Sequence, residues 1–129
     1  MKKELEMSLV TKYPLMFRDY GGDPYETCMN RGMEHGNGWF EILSTLCENI
    51  EKELQNHQEL REKFKFTQVK EKFGRLRVYF DGANEIIWNL AYKSEEDSGI
   101  VCEQCGTRDN VSANETGWIR TLCTNCRKN

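Results

Sequence analysis

Hydrophobic residues recur along the chain with two different periods, and each period predicts its own kind of element. Over residues 39–56 apolar side chains follow the three-to-four-residue spacing of an amphipathic helix, and charged residues fall elsewhere. Over residues 75–80 polar and apolar side chains alternate, which is typical of a half-buried strand. Shorter helical patterns cover residues 2–12 and 85–97. The chain is therefore predicted to have an α+β fold.

Capping and turn-forming residues mark where these elements begin and end. Asn37 and Asn84 stand just before helical patterns, where an asparagine side chain can accept hydrogen bonds from free N–H groups. Gly74 divides residues 64–82 into a β-hairpin, and the irregular alternation of its first half indicates a bulge or an exposed edge. We therefore expect helices packed on this hairpin, or on a small antiparallel sheet if the C-terminal segment or a second copy adds a strand.

Two Cys-x-x-Cys pairs, separated by seventeen residues, lie near the end of the chain. This spacing is typical of a tetrahedral Zn²⁺ site, and we predict a structural zinc ion bound by Cys102, Cys105, Cys123 and Cys126. The predicted organisation is an α+β domain over residues 1–99 and a zinc ribbon over residues 100–129. Two disulfides or a redox-active pair are the alternatives. A site closed by four cysteines has no open position for water or substrate, which argues against metal catalysis.

Length and composition limit the class of protein. The 129 residues suffice for one modest core with an appendage. No apolar run approaches the roughly 20 residues of a membrane span, and the charged residues 2–6 do not resemble a secretion signal. If four cysteines bind metal, Cys28 and Cys47 remain as free thiols. We therefore expect a cytoplasmic protein with no membrane partner.

Positive charge is concentrated in the predicted hairpin. Residues 63–80 hold six basic side chains and one acidic one, although the net charge of the chain is −3. Side chains suited to phosphate contact and base stacking lie there: Lys70, Lys72, Arg75, Arg77 and Tyr79. The alternative is a solvated strand face whose lysines protect an exposed edge from aggregation.

A second candidate for anion binding is the glycine-rich segment that leads into the long helix. It contains Arg31 and His35, and a helix N-terminus offers free N–H groups to an anion, although the segment matches no phosphate-loop motif. The alternative is a structural turn. Glu34 with His35 is the one acid–base pair that the sequence suggests, and no nucleophile or orienting group accompanies it. We therefore expect a protein that is not an enzyme.

Three motifs follow one another along residues 36–126. They are Gly-Asn-Gly-Trp-Phe-Glu-Ile-Leu at 36–43, the Lys-Phe-Gly hairpin at 68–80, and Cys-x-x-Cys-Gly at 102–106. In this order they resemble a family of small phage and prophage proteins. The resemblance implies a viral or mobile-element origin and action by binding, but it assigns a role to no residue.

The function predicted from these features is non-enzymatic capture of an anionic ligand, either a nucleotide or a nucleic acid. Because of the resemblance, we expect it to serve host interference or counter-defence in the host cytosol. The alternative is an adaptor or inhibitor of a host protein, or a transcription regulator, that acts through exposed aromatic residues such as Trp39, Trp88 or Trp118.

Overall fold

Five helices and five short strands make up the part of the chain that this computed structural model describes, residues 1–128. In chain order they are α1 (Lys3–Lys12), β1 (Met33–Glu34), α2 (Phe40–Asn56), α3 (Gln58–Arg61), β2 (Lys65–Lys72), β3 (Arg75–Asp81), α4 (Glu85–Ser98), β4 (Val111–Ala113), β5 (Thr121–Cys123) and α5 (Thr124–Lys128). Two 3-10 turns, Cys28–Arg31 and Asn37–Trp39, precede β1 and α2. The α+β fold class is confirmed.

The main sheet has three strands in the order β1-β2-β3. β2 and β3 form the predicted antiparallel hairpin, and its register shifts between Phe66 and Gln68, where the sequence indicated a bulge. Phe73 and Gly74 form the turn, with φ of 52° and 81°. β1 adds to the sheet parallel to β2, with Met33 opposite Val69. The third strand therefore comes from the glycine-rich segment, so the sheet is mixed and not purely antiparallel.

One hydrophobic core joins the helices to the sheet. The apolar stripe of α2 is fully buried, as Leu43 and Ile50 illustrate, and α4 contributes Ile87. Phe17 stacks on Phe66 with ring centroids 4.9 Å apart, so the segment after α1 also closes over the sheet. Burying an aliphatic or aromatic side chain of this size contributes roughly 1.5–3 kcal/mol, which explains why periodicity predicted these elements correctly.

The two predicted asparagine caps have different outcomes. Asn84 caps α4, because its Oδ1 accepts a hydrogen bond from the Ile87 N–H at 3.0 Å. Asn37 does not cap α2. Its Oδ1 accepts instead from the Lys2 N–H at 2.7 Å, and α2 begins at Phe40 after a 3-10 turn. The hydrogen bond from Lys2 therefore takes the place of the predicted bond between Asn37 and the first turn of α2.

The C-terminal segment is attached to the sheet through the hairpin turn. β4 and β5 form a short antiparallel pair, and the Thr121 hydroxyl donates to Gly74 O at 2.5 Å. A small second cluster of buried side chains, Cys102, Leu122 and Cys123, lies inside this segment. Among residues 1–128, no helix combines the length and apolar character that a membrane crossing requires.

Candidate metal centre and basic strand face

The four cysteines of the two Cys-x-x-Cys pairs, which we call the first and second knuckle, lie close together. Their Sγ atoms all lie within 4.8 Å of one another, and those of Cys105 and Cys123 are 3.7 Å apart. Metal–sulfur bonds of about 2.3 Å in a tetrahedron place the sulfurs about 3.8 Å apart, whereas a disulfide requires about 2 Å. All six cysteines are free thiols. The cluster therefore has the donor set and the geometry of a metal site.

Hydrogen bonds inside the cluster favour the thiolate form of Cys102 and the thiol form of Cys126. Burial raises the pKa of the Cys102 thiol, but N–H groups of Cys105, Cys123 and Gln104 outweigh burial and lower this pKa to about 6. The hydrogen bond with Cys123, followed by burial, raises the pKa of Cys126 to about 12. Thiols this close cannot all ionise without a cation among them, so the arrangement is suited to a bound metal ion.

The first knuckle packs against the glycines before α2. The Gly36 N–H donates to Glu103 Oε2 at 2.9 Å, and the Gly38 N–H donates to Glu103 O at 2.7 Å. A Cβ atom on Gly38 would lie 2.1 Å from Cys102 O, so only glycine permits this approach. The N–H groups of Gly36 and Gly38, which the sequence suggested for an external anion, are therefore used in holding the first Cys-x-x-Cys pair.

His35 and Trp39 lie beneath this contact. His35 is 6% exposed, and its Nδ1 donates to Gly36 O at 2.8 Å because a carbonyl can only accept. Desolvation lowers its pKa to about 4, so the ring is neutral, and its Nε2 has no hydrogen-bond partner among the described residues. The Trp39 indole is buried and donates to Val101 O at 2.9 Å. His35 is therefore too buried to bind an anion at the surface. Trp39 is not one of the exposed aromatic residues, contrary to what the sequence had suggested.

The strand register brings five of the predicted residues together. Lys70 lies opposite Arg77, Lys72 opposite Arg75, and Gln68 opposite Tyr79. Opposite residues share a face of a sheet, and successive residues alternate between faces. The face directed away from the core therefore carries Lys70, Lys72, Arg75, Arg77 and Tyr79, which we call the basic face. Arg31 is not part of it, because it is exposed in the 3-10 turn that ends two residues before β1.

Two carboxylates offset part of this charge. Glu95 on α4 lies 2.9 Å from Arg77 Nε and 4.0 Å from Arg75 Nη1, and Glu34 lies opposite Lys70. Within residues 1–128, no carboxylate oxygen lies within 4.0 Å of the Lys70 or Lys72 ammonium group. Exposed ion pairs contribute only about 0–1 kcal/mol, so a phosphate can compete for Arg75, whose side chain is half exposed. The Nε atom of Arg77 is buried in its contact with Glu95, which holds this arginine more firmly. The face keeps a positive balance in an acidic chain.

A groove of about 350 Å³ runs between β3 and α4 beside the basic face. Arg77 and Tyr79 line one side, and Trp88 and Tyr92, 59% and 63% exposed, line the other. The sequence indicated Trp88 as an exposed aromatic residue but did not single out Tyr92. The signal was available, because aromatic residues four positions apart lie on the same side of a helix.

Comparison of the chain with protein-family models, with curated proteins and with solved structures finds no match. The two candidate sites are therefore assigned from their geometry and chemistry.

Proposed function

We propose that the four-cysteine cluster binds Zn²⁺ and that the segment around it is a zinc ribbon. The 3.7 Å sulfur spacing and the hydrogen bonds to sulfur support this assignment. Four thiolates fill a tetrahedral ion, so the metal would be structural. The segment buries little apolar surface of its own beyond Leu122, which is typical of small modules that fold only with their metal.

We propose further that the protein is a non-enzymatic binding protein that captures a nucleotide or nucleic acid on the basic face. The observation that carries this proposal is the pairing of Lys70 with Arg77 and of Lys72 with Arg75 beside Tyr79. Ammonium and guanidinium groups bind phosphate oxygens, and an exposed tyrosine ring offers a surface on which a base can stack. The burial of His35, the one histidine of the suggested acid–base pair, supports capture over catalysis.

The resemblance of residues 36–126 to small phage and prophage proteins extends this proposal to a biological setting. Capture of a nucleotide signal or of a nucleic acid would interfere with the host or counter its defence, and it would take place in the host cytosol.

A paired-lysine variant tests the binding function. Lys70→Ala with Lys72→Ala removes two cations that have no carboxylate oxygen within 4.0 Å among the described residues, and Lys52→Ala with Lys93→Ala removes equal charge from exposed helical positions. In titrations of a fluorescein-labelled oligothymidylate 12-mer, we expect the first variant to bind at least tenfold more weakly. The slope of its affinity against salt should also fall by about 1 for each phosphate that the variant no longer binds. Equal affinities and slopes in the two variants would refute the assignment.

A second function, adaptor or inhibitor of a host protein, is favoured by the edge of β3. The Leu76 N–H points away from β2, since it donates to Ser98 Oγ at 2.8 Å, and the N–H groups of Val78 and Phe80 point the same way because directions alternate. An extended peptide could pair with them along the groove, against Trp88. Such binding would depend on Trp88 and respond little to salt, which distinguishes it from phosphate binding.

A further inference from the structure

We infer that the ligand is a single strand of nucleic acid, several nucleotides long, that lies across the basic face between two aromatic platforms. The inference rests on the proposed function and goes beyond it by naming the ligand class. It follows from the positions of five exposed aromatic side chains, three beside the part of β3 that holds Tyr79 and two at the hairpin turn, with the cations on the strands between them.

The first platform lies where β3 approaches α4. Tyr79 stands on the basic face, and Trp88 and Tyr92 line the adjoining groove. The Trp88 ring is held against Phe80, with centroids 4.6 Å apart, so its orientation is set before a ligand arrives. A preorganised ring loses little conformational entropy when a base stacks on it.

The second platform lies at the hairpin turn. Phe73 and Trp118 are 72% and 78% exposed, and they flank a cavity of about 300 Å³ that Lys72 and Glu71 also line. The Glu71 carboxylate accepts a hydrogen bond from the Gly74 N–H at 2.8 Å. Phe73 has a positive φ of 52°, a conformation that suits asparagine or glycine better than a bulky residue. Packing in the core does not account for an exposed phenylalanine in this conformation, whereas contact with a ligand does.

The loop that carries Trp118 is fixed in place. Asn114 Nδ2 donates to the carbonyls of Thr116 and Trp118, each at 2.7 Å, and Asn114 Oδ1 accepts from the Arg120 N–H at 2.7 Å. The hydrogen bond from Thr121 to Gly74 connects the end of this loop to the hairpin turn. Trp118 is therefore presented beside Phe73 by the C-terminal segment, which gives the metal-bound module a role in the binding surface.

The separation of the platforms determines the length of the ligand. Phe73 lies in the hairpin turn, and Tyr79 lies four residues along β3 from Arg75, the first strand residue after the turn, about 14 Å at roughly 3.4 Å per residue. A mononucleotide is too short to reach both platforms, whereas about five stacked nucleotides at roughly 3.4 Å each cover this distance, and fewer suffice if the nucleic-acid strand is extended. Lys70, Lys72, Arg75 and Arg77 lie between the platforms, where the phosphates would pass. Stacking requires open base faces, which a duplex does not offer, so a single strand fits.

Anisotropy titrations of the full-length protein with fluorescein-labelled oligothymidylates of 3, 6 and 12 nucleotides test the inference. We expect affinity to rise steeply from 3 to 6 nucleotides and little beyond. Trp118→Ala should weaken binding of the 12-mer at least fivefold, since stacking on one ring contributes about that factor or more. The same variant should leave the 3-mer within twofold, because a 3-mer can bind at the other platform. Tyr25→Ala, which removes a 96% exposed ring from the loop before β1, is the matched control and should have no effect.

Phe73→Asn separates binding from folding. Asn-Gly is a favoured pair in tight hairpin turns, so this variant should melt at or above the temperature of the wild-type protein while it binds the 12-mer more weakly. A variant that is more stable and binds unchanged would show that Phe73 has no part in the site and would overturn the second platform.

The other outcomes are equally decisive. If thymidine monophosphate competes as well as the 12-mer at equal concentration, the proposed function stands and the inference is overturned. If an abasic 12-mer binds as tightly, stacking is excluded. If polyglutamate of similar length binds as tightly, the partner is an acidic protein and not a nucleic acid. If none of these probes binds, both the inference and the proposed function fail.

Discussion

Gly38→Ala is the substitution for which the structure predicts the largest effect from the smallest chemical change. The added Cβ would lie 2.1 Å from Cys102 O and 2.6 Å from both Glu103 O and Gly106 N, and these are backbone atoms that cannot rotate away. In a close-packed interior the first knuckle and the start of α2 must then separate by about 1 Å. The φ of Gly38 lies outside the positive range, so the cost comes from the close approach alone.

The magnitude follows from the hydrogen bonds across this contact. Three would break or lengthen: Gly38 N–H to Glu103 O, Gly36 N–H to Glu103 Oε2, and the Trp39 indole to Val101 O. At about 1 kcal/mol each, the free energy of unfolding should fall by about 3 kcal/mol, out of a total of roughly 5–15 kcal/mol for a typical domain. The melting temperature should fall by roughly 10 °C. Because Cys102 is displaced, a chelator should also remove the metal faster.

Urea denaturation followed by circular dichroism, with zinc present, measures the change. Gly99→Ala is the control, because Gly99 has an ordinary φ of −66° and its added Cβ would be 3.3 Å from its nearest neighbours, one of them the flexible Arg75 side chain. Its stability should stay close to that of the wild-type protein. If Gly38→Ala were as stable as Gly99→Ala, the knuckle would not pack on the glycine segment as described.

Two further predictions concern buried polar groups. Desolvation, opposed by the hydrogen bond to Gly36 and aided by the N-terminal ammonium, lowers the pKa of His35 from 6.5 to about 4. The unfolded chain therefore binds more protons than the folded one between these values. Stability should therefore be complete above pH 6.5 and fall toward pH 4, by at most about 1.4 kcal/mol per pH unit, in urea titrations of the wild-type protein. Ser98→Ala deprives the Leu76 N–H of its acceptor, and the free energy of unfolding should fall by about 1–3 kcal/mol in the same assay.

The His35 prediction and the Ser98 prediction each have a control variant. Acid also protonates metal-binding thiolates, so the His35 contribution is the part of the pH dependence that His35→Phe removes, and an identical profile in that variant would contradict the prediction. Ser8→Ala removes an exposed hydroxyl that bonds only to Leu5 O within α1. A loss of stability in Ser98→Ala no greater than that in Ser8→Ala would show that the β3 edge does not need this acceptor.

Local patterns in the sequence predicted much of the fold. The stripe of α2, the alternation of β3 and the bulge near Phe66 are repeated or local signals that the burial of side chains enforces. β1 could not be predicted, because two residues carry no measurable alternation and Met33 is placed by pairing with β2. The prediction that Asn37 caps α2 was wrong for a related reason. The Oδ1 atom of Asn37 accepts a hydrogen bond from Lys2, which is thirty-five residues away in the sequence.

The candidate sites were predictable to different degrees. Cysteine spacing alone identified the four residues of the metal cluster, because the ligands of a knuckle are close in sequence. The basic face could be predicted, because polar and apolar residues alternate along strands joined by a single turn. The role of Gly36 and Gly38 could not be predicted, because it depends on contact with a segment more than sixty residues further along the chain. Phe73 and Trp118 come together through the contacts of Thr121 and Ile119 with the hairpin turn, which local sequence does not reveal.

Native mass spectrometry of the protein, purified without chelator, will show whether a metal ion closes the C-terminal segment that holds Trp118 beside Phe73. We expect one zinc ion per chain, retained until the cysteines are alkylated under denaturing conditions. A metal-free chain, or a mass lowered by the hydrogens of two disulfides, would contradict this expectation.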